Sequence, residues 1–179
     1  KAELAEGRNV MVFGYHVSLL PRLARLIQEA TGEKVPVLYS DKVPTAKRQE
    51  WINKNIILKG ARVMVANPVG ISTGLNNLVH FSTEIWMENP GCHPLIFRQA
   101  NGRVYRIGQG LETRIYFPIY KGTLQAQLHH LLMIKVAVST ATDGLDSESV
   151  LLAAGAGDDA LCMGLSIGRQ LWEMINREN

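Results

Sequence analysis

The sequence pattern that decides the fold is RVMVANPVGISTGLN, which occupies residues 62–76. Four apolar residues, 63–66, follow the arginine, and a short unbroken apolar run is typical of a strand buried on both faces of a parallel sheet. The residues after this strand, 67–76, include two glycines and two hydroxyl side chains. We interpret them as a loop whose backbone can bend tightly.

The N-terminal part of the chain alternates in the same way between strand and helix patterns. Residues 9–14 are a second buried run, which ends in glycine. A helix pattern follows, with Ser18 as its expected N-cap and Gly32 as its expected end. Residues 35–39 predict a short strand, and Pro36, which lacks an N–H, indicates an edge position or the start of that strand. The apolar residues at helical spacing are Leu20, Leu23, Ile27 and Ala30.

The remaining elements continue the alternation. Together they predict an α/β fold with a mostly parallel central sheet and helices on its faces. The polar stretch 140–149 predicts a loop or hinge, and a C-terminal helical extension is expected after it, with its last helix near 160–175. The other predicted elements are a helix near 45–57, a strand at 83–87, a helix near 94–104, a strand at 113–118 and a helix from Thr123 onward.

The composition excludes several classes of protein. Of the 179 residues, 46% are apolar and 20% are charged, which allows one buried core and argues against disorder. No run approaches the roughly 18 to 20 apolar residues that span a bilayer, and residues 1–9 lack the apolar stretch of a signal peptide. We therefore expect a soluble, cytoplasmic protein with no membrane partner. Because the chain begins at Lys1 and not at methionine, we expect it to be part of a longer polypeptide.

The charged residues and possible metal ligands give weaker signals. Residues 1–114 hold 15 Lys/Arg against 9 Asp/Glu, whereas residues 115–179 hold 4 against 7. An anionic partner is expected at the basic part, although a solvated surface would have the same surplus. Cys92 and Cys162 lie in no zinc or disulfide pattern, and no histidine has an acidic partner at ligand spacing. No metal site is predicted.

Candidate binding loops follow from the parallel sheet, since ligands bind beyond the carboxyl ends of such strands. The loops after residues 13, 66 and 87 are therefore the places where a ligand is expected. The loop 67–76 can present backbone N–H and hydroxyl groups to phosphates of a nucleotide or a nucleic acid. The alternative interpretation is a connecting loop without a ligand.

The second candidate is QANGRVYRIGQ, residues 99–109. Arg103 and Arg106 are three positions apart, so they are neighbours on one helical face if the predicted helix continues through them. Two guanidinium groups that meet at one point suit a transferring phosphoryl group. The alternative is a pair of surface arginines bound to acidic side chains.

The order of four stretches resembles a known family. The four stretches are, in order along the chain, NVMVFGYH, Arg48, VMVANPVGISTGLNNL and QANGRVYRIGQ. Their order is similar to that in the C-terminal RecA-like lobe of superfamily 2 helicases, in particular the SWI/SNF-type branch of ATP-dependent DNA translocases. The resemblance covers residues 7–135 and implies a three-layer RecA-like lobe at 1–139, with the helical extension, 140–179, packed on it. The most specific match is the family's sixth motif, which is satisfied without a gap by Gln99, Gly102, Arg103, Arg106, Gly108 and Gln109.

The resemblance also implies roles for individual residues. Arg103 and Arg106 would be arginine fingers that reach the γ-phosphate of ATP, with Gln99 close to the same phosphates. ATP and Mg²⁺ would be held mainly by an N-terminal RecA-like lobe of the same polypeptide. Nucleic acid, expected to be DNA, would be contacted through its phosphate backbone without sequence readout. The interlobe cleft would be lined by Gly74, Leu75 and Asn76, of which Gly74 and Asn76 would bind the nucleotide together with Gln99. The contacts to the nucleic-acid backbone would come from His16, Ser72 and Thr73.

Two departures from the family pattern bear on the origin of the chain. Asn77 stands where the family usually has leucine, and residues 86–90, WMENP, only partly match the family's Trp-Asn-Pro element. These differences favour a bacterial, plasmid or phage protein over a chromatin remodeller. A eukaryotic member would be nuclear.

Missing motifs limit what the chain is expected to do alone. It contains neither a G-x-x-x-x-G-K-[ST] phosphate loop nor a strand followed by the Asp-Glu pair that holds magnesium. We therefore expect negligible ATP hydrolysis by the isolated chain. Three alternatives to the motor lobe stay open: a catalytically inactive RecA-like binding or scaffold module, an RNA helicase lobe, and an unrelated flavodoxin-like domain that binds a small molecule.

Overall fold

A wholly parallel sheet is the centre of the fold in the computed structural model, which describes residues 1–89, 91 and 93–143. The strand order is β2-β3-β1-β4-β5, so β1 lies between β3 and β4. The predicted α/β fold with a parallel sheet is confirmed. The five strands are β1 (Val10–Phe13), β2 (Val37–Leu38), β3 (Val63–Ala66), β4 (Thr83–Trp86) and β5 (Arg114–Tyr116).

Helices connect these strands. Single 3₁₀ turns occur at Val17–Leu19 and Asn77–His80, and a π turn at Asn53–Ile57 extends the third helix. No helix in the described part of the chain is long and apolar enough to span a membrane. The α-helices are α1 (Ala2–Ala5), α2 (Leu20–Thr31), α3 (Thr45–Ile52), α4 (Pro68–Ile71), α5 (Pro94–Asn101) and α6 (Leu124–Thr142).

The strands are buried because apolar residues cover both faces of the sheet. All four residues of β1 and of β3 are buried. On one face the valines of these strands pack with Leu20 and Leu23 of α2. The opposite face carries an aromatic cluster whose ring centroids lie 4.4–6.2 Å apart: Phe13, Trp86, Phe97 and Phe117.

The edge position of the second strand is confirmed. Among the described strands, β2 pairs with β3 alone, at the end of the sheet. Pro36 has no N–H to donate, but its carbonyl accepts a hydrogen bond from the Val65 N–H at 3.0 Å. A proline before an edge strand therefore costs no hydrogen bond of the sheet.

The predicted ends of several helices are wrong. Ser18 is not an N-cap, because it lies in a 3₁₀ turn and α2 begins at Leu20, with a proline in its first turn. The predicted end at Gly32 is confirmed, with the glycine in the left-handed region at φ 75°. Helix α5 stops at Asn101, short of the predicted Val104.

The predicted loop at 140–149 is wrong at its start. Residues 140–142 are helical, and the hydroxyls of Thr140 and Thr142 donate to carbonyls four residues earlier in α6. Residues 144–179, including the predicted helix near 160–175, lie outside the described residues. The boundary between 139 and 140 stays a prediction.

The sheet belongs to one compact unit, Lys1–Pro90 with Ile96–Pro118, and α6 belongs to a second.

Candidate functional site

The loops after β1, β3 and β4 are joined at the carboxyl edge of the sheet. The Gly14 N–H donates to the Ala66 carbonyl at 3.2 Å, and the Met87 N–H donates to the Phe13 carbonyl at 2.9 Å. The Asn67 side-chain amide donates to the Tyr15 carbonyl. These are the three loops at which the sequence predicts a ligand.

The loop 67–76 begins with a short capped helix. Asn67 is the N-cap of α4, and its Oδ1 accepts a hydrogen bond from the Val69 N–H at 2.9 Å. Gly70 approaches Ser40 so closely that a Cβ on the glycine would lie 2.9 Å from the serine Cβ. A side chain at position 70 would therefore displace this part of the loop.

Arg48 holds the same part of the loop from α3. Its buried guanidinium donates to the carbonyls of Gly70, Ser40 and Val43, each at 3.1 Å. One charged side chain thus satisfies three carbonyl groups, and hydrogen bonds from a charged donor are stronger than those from a neutral donor. Arg48 entered the sequence resemblance only by its position, and the structure gives it this structural role.

The second half of the loop turns at Gly74 and ends at Asn76. Gly74 has φ +72°, a conformation that favours glycine. The Leu75 side chain is fully buried, whereas Thr73, Gly74 and Asn76 are exposed. The Asn76 N–H donates to Gln49 Oε1 of α3 at 2.9 Å. The buried leucine fixes a loop whose neighbouring residues face outward.

Arg103 and Arg106 do not lie on one helix. Helix α5 ends at Asn101, and residues 102–108 form turns, so the prediction of a shared helical face is wrong. Both side chains nevertheless reach the loop 67–76. Arg103 donates to the Ser72 carbonyl at 2.7 Å and to the Leu75 carbonyl at 3.1 Å. Arg106 donates to Asn76 Oδ1 at 2.8 Å.

The two guanidinium groups form a cationic cluster. Neither makes an ion pair with an acidic side chain among the residues that the structure describes. Burial lowers the pKa of Arg103, and the charge of Arg106 lowers it further. Two adjacent cations without a carboxylate partner in the described part of the chain attract a polyanion such as a phosphate chain. Among the described residues, the alternative of two arginines bound to acidic side chains is not found.

The other residues given a role by the sequence have different surroundings. Gln99 is exposed on α5. Ser72 is buried, and its hydroxyl donates to the Val69 carbonyl at 2.9 Å. His16 is exposed, and both its N–H and its ring Nδ1 bind the Glu88 carboxylate, at 2.8 and 2.7 Å. A carboxylate at this distance weakens the attraction of a histidine for a phosphate.

Two residues at the site were missed by the sequence analysis. Glu88 lies 72 positions from His16, and only the pairing of β1 with β4 brings the two together. Gln109 was matched to a motif without being given a role. Its amide donates to the carbonyls of Phe81 and Val79 at 2.7 and 3.1 Å, which ties the end of the motif to the residues before β4.

The chemistry of the donors suits phosphate and not a metal ion. Guanidinium, backbone N–H and hydroxyl groups donate hydrogen bonds to anionic oxygens. Mg²⁺ requires carboxylate and other oxygen ligands in octahedral geometry. Within residues 1–89, 91 and 93–143 no three His, Cys, Asp or Glu side chains form a group that could hold a metal ion.

Comparison with known proteins finds relatives of the sequence. No protein-family model matches the chain. It is 28% identical over 135 residues to the RNA polymerase-associated protein RapA of Vibrio parahaemolyticus. It is 30% identical over 142 residues to the SWI/SNF-related matrix-associated actin-dependent regulator of chromatin subfamily A-like protein 1 of Xenopus tropicalis, and 29% identical over 141 residues to that of Xenopus laevis. The matches cover 72–75% of this chain but only 13–14% of the relatives.

The fold has a counterpart among solved structures. The crystal structure of the C-terminal part of the Fun30 ATPase domain is similar with a TM-score of 0.63 and 23% sequence identity. The similarity covers 73% of this chain and 41% of the other, and it establishes the RecA-like fold. Fold and sequence relatives agree with the motif order along the chain, and the chain therefore belongs to the SWI/SNF-type branch of superfamily 2 helicases, as a C-terminal RecA-like lobe.

Proposed function

We propose that this chain is the second motor lobe of an ATP-dependent DNA helicase or translocase, in which Arg106 acts on ATP bound by an N-terminal RecA-like lobe of the same polypeptide. One observation carries the proposal. Arg103 and Arg106 converge on the loop 72–76 as adjacent cations, without an ion pair in the described part of the chain. Charge of this kind stabilises a transferring phosphoryl group, on whose equatorial oxygens negative charge is spread.

The two arginines have different parts in this proposal. The guanidinium of Arg103 is occupied by the carbonyls of Ser72 and Leu75, and its side chain is partly buried. Arg106 is exposed and donates to the loop through Nη1 alone, with Nε bound to its own turn at Gly102. Arg106 is therefore the finger, and Arg103 adds positive charge while it holds the loop.

ATP and Mg²⁺ are held mainly by the N-terminal lobe in this proposal, because the sequence lacks the phosphate loop and the magnesium carboxylates. ATP supplies the phosphoryl group whose transfer drives the motor. This chain contributes the cation of Arg106, with Gln99, Gly74 and Asn76 near the same cleft. The chain spans only 13–14% of the length of its curated relatives.

DNA is the proposed polymer, contacted through its phosphates. Thr73 is an exposed residue of the loop 67–76, and it can donate from its hydroxyl and backbone N–H. Ser72 contributes less than the sequence predicts, since its hydroxyl is bound within the loop, and His16 would have to leave Glu88. Phosphate contacts do not depend on sequence, which is what a translocase requires.

The experiment is steady-state ATP hydrolysis by the full-length protein with Arg106→Ala. We expect kcat to fall by about 10³-fold or more, the range for arginine fingers, with KM for ATP nearly unchanged. The control is Arg25→Ala, an exposed arginine of α2 whose 3.8 Å contact with Glu29 is typical of a surface pair. An unchanged kcat, or an equal loss of ATP binding, would reject the role of Arg106.

A further inference from the structure

Arg106 is oriented by a residue that makes no ion pair with it. Asn76 Oδ1 accepts from Arg106 Nη1 at 2.8 Å, and both residues are exposed. An exposed arginine samples many rotamers, and fixing one of them costs conformational entropy. The bond to Asn76 lowers that cost before the substrate arrives, so the guanidinium is already directed when it acts.

The neutral amide suits this task better than a carboxylate. Aspartate at position 76 would also accept the bond, but its charge would cancel much of the charge of Arg106. An amide oxygen orients the guanidinium and leaves the positive charge available to a phosphate. The neutral amide of Asn76 is therefore suited to orienting the guanidinium of Arg106.

Asn76 itself is fixed from two sides. Its N–H donates to Gln49 Oε1 of α3 at 2.9 Å. On the other side the preceding residue, Leu75, has a fully buried side chain and a carbonyl bound by Arg103. The backbone at position 76 consequently has little freedom to turn its side chain away from Arg106.

Helix α3 holds both halves of the loop through two consecutive residues. Arg48 binds the Gly70 carbonyl, and Gln49 binds the Asn76 N–H. The other polar atom of Gln49, Nε2, is buried and has no hydrogen-bond partner among the described residues. Burying an unpaired amide lowers stability, so stability alone does not explain a glutamine at this position.

We propose that Asn76 and Gln49 are positioning residues that direct Arg106 toward the transferring phosphate, with Gln49 acting through Asn76. The inference rests on the proposed role of Arg106. It changes the part of Asn76, which the sequence resemblance places among the nucleotide-binding residues, and it gives a role to Gln49, for which the sequence analysis has none.

The experiment is a double-mutant cycle on kcat for ATP in the full-length protein, with Asn76→Leu, Arg106→Ala and the double variant. We expect Asn76→Leu to lower kcat by roughly 10- to 100-fold, as misplacement of a catalytic group does, with KM unchanged. In the Arg106→Ala background the same substitution should change kcat less than twofold, because the residue that it positions is gone.

A second variant guards against a folding defect of the first. Gln49→Met, which keeps the length of the side chain but removes the acceptor, should lower kcat in the wild-type background and not in the Arg106→Ala background. Glu50→Ala, at an exposed position of α3, is the matched control and should leave kcat unchanged. Thermal unfolding of each variant verifies that it is folded.

The outcomes separate this inference from the proposed function. If Arg106→Ala lowers kcat but the effects of Asn76→Leu and Gln49→Met are the same in both backgrounds, the positioning role is wrong and the motor role stands. If Arg106→Ala itself leaves kcat unchanged, the proposed function fails and the inference fails with it.

Discussion

At the scale of single residues, Glu84 is a carboxyl group buried inside the parallel sheet. It lies in β4 between Met11 of β1 and Ile115 of β5 in the pairing register, with no exposed surface. Burial raises the pKa of Glu84 to about 8, because the charged form loses its hydration. The indole N–H of Trp86 lowers this pKa, but it donates its well-formed hydrogen bond to Asn101 instead.

This burial makes the stability of the fold depend on pH. The pKa of Glu84 is higher in the folded chain than the ordinary value of 4.5, so between pH 4.5 and 8 the folded state binds more protons than the unfolded state. The free energy of unfolding should therefore fall as pH rises through this window. Glu84→Gln should remove the part of that slope that Glu84 causes. The stability of the variant relative to the wild type should therefore be higher at pH 9 than at pH 5, by on the order of a few kcal/mol in the free energy of unfolding.

Urea unfolding of both proteins at pH 5 and pH 9 measures the effect. Glu112→Gln, at an exposed position, is the control and should keep the slope of the wild type. Identical pH dependence of the wild type and Glu84→Gln would show that the carboxyl is solvated in the folded state.

At the scale of elements, the strands were predictable and the ends of the helices were not. Residues 10–13 and 63–66 are apolar without interruption because both faces of the sheet are covered, and this pattern is visible in the sequence. The start of α2 at Leu20 follows a 3₁₀ turn that the helical spacing does not predict, and the end of α5 lies at a contact with a distant residue. Asn101 accepts a hydrogen bond from the Trp86 indole at 3.2 Å.

The candidate site was predictable to a similar degree. The motif 99–109 indicated that Arg103 and Arg106 lie close together, and its match to a known family indicated phosphate chemistry. Their different surroundings could not be predicted, because the loop carbonyls and Asn76 that bind them are 28 to 31 positions away in sequence. The roles assigned to these residues stay predictions.

A stability measurement separates the two arginines. Arg103→Leu leaves the partly buried carbonyls of Ser72 and Leu75 without a donor, which should lower the free energy of unfolding by about 1–3 kcal/mol. Arg106→Leu, at an exposed position three residues later, should change it by less than about 0.5 kcal/mol. Denaturant unfolding of the two variants provides the comparison. Equal losses would mean that Arg103 does not hold the loop.

At the scale of the whole molecule, the proposed function makes this chain one lobe of a motor that needs a second lobe to hold ATP. Its isolated form should hydrolyse ATP at the background rate, because its sequence contains neither the phosphate-loop motif nor a strand followed by an Asp-Glu pair. Phosphate release by the purified chain, measured with ATP and Mg²⁺, verifies this. Turnover well above background that disappears in Arg106→Ala would mean that the chain binds ATP without another lobe.

Nucleic-acid binding also belongs to this scale. The isolated chain should bind duplex DNA weakly and without sequence preference. Its affinity should fall steeply with salt, because binding releases counterions from the phosphates and added salt opposes that release. Fluorescence anisotropy at several salt concentrations provides the slope. An affinity that does not change with salt would argue against contacts to the phosphate backbone.

The central claim is that Arg106 stabilises a phosphoryl group in transfer, and the affinity of the full-length protein for ADP with aluminium fluoride tests it most directly. This complex mimics the transferring phosphate, whereas ADP alone does not. We expect Arg106→Ala to weaken binding of the mimic by about 10³-fold while the affinity for ADP stays within a few-fold of the wild type. If the variant binds the mimic as tightly as the wild type, Arg106 is not an arginine finger.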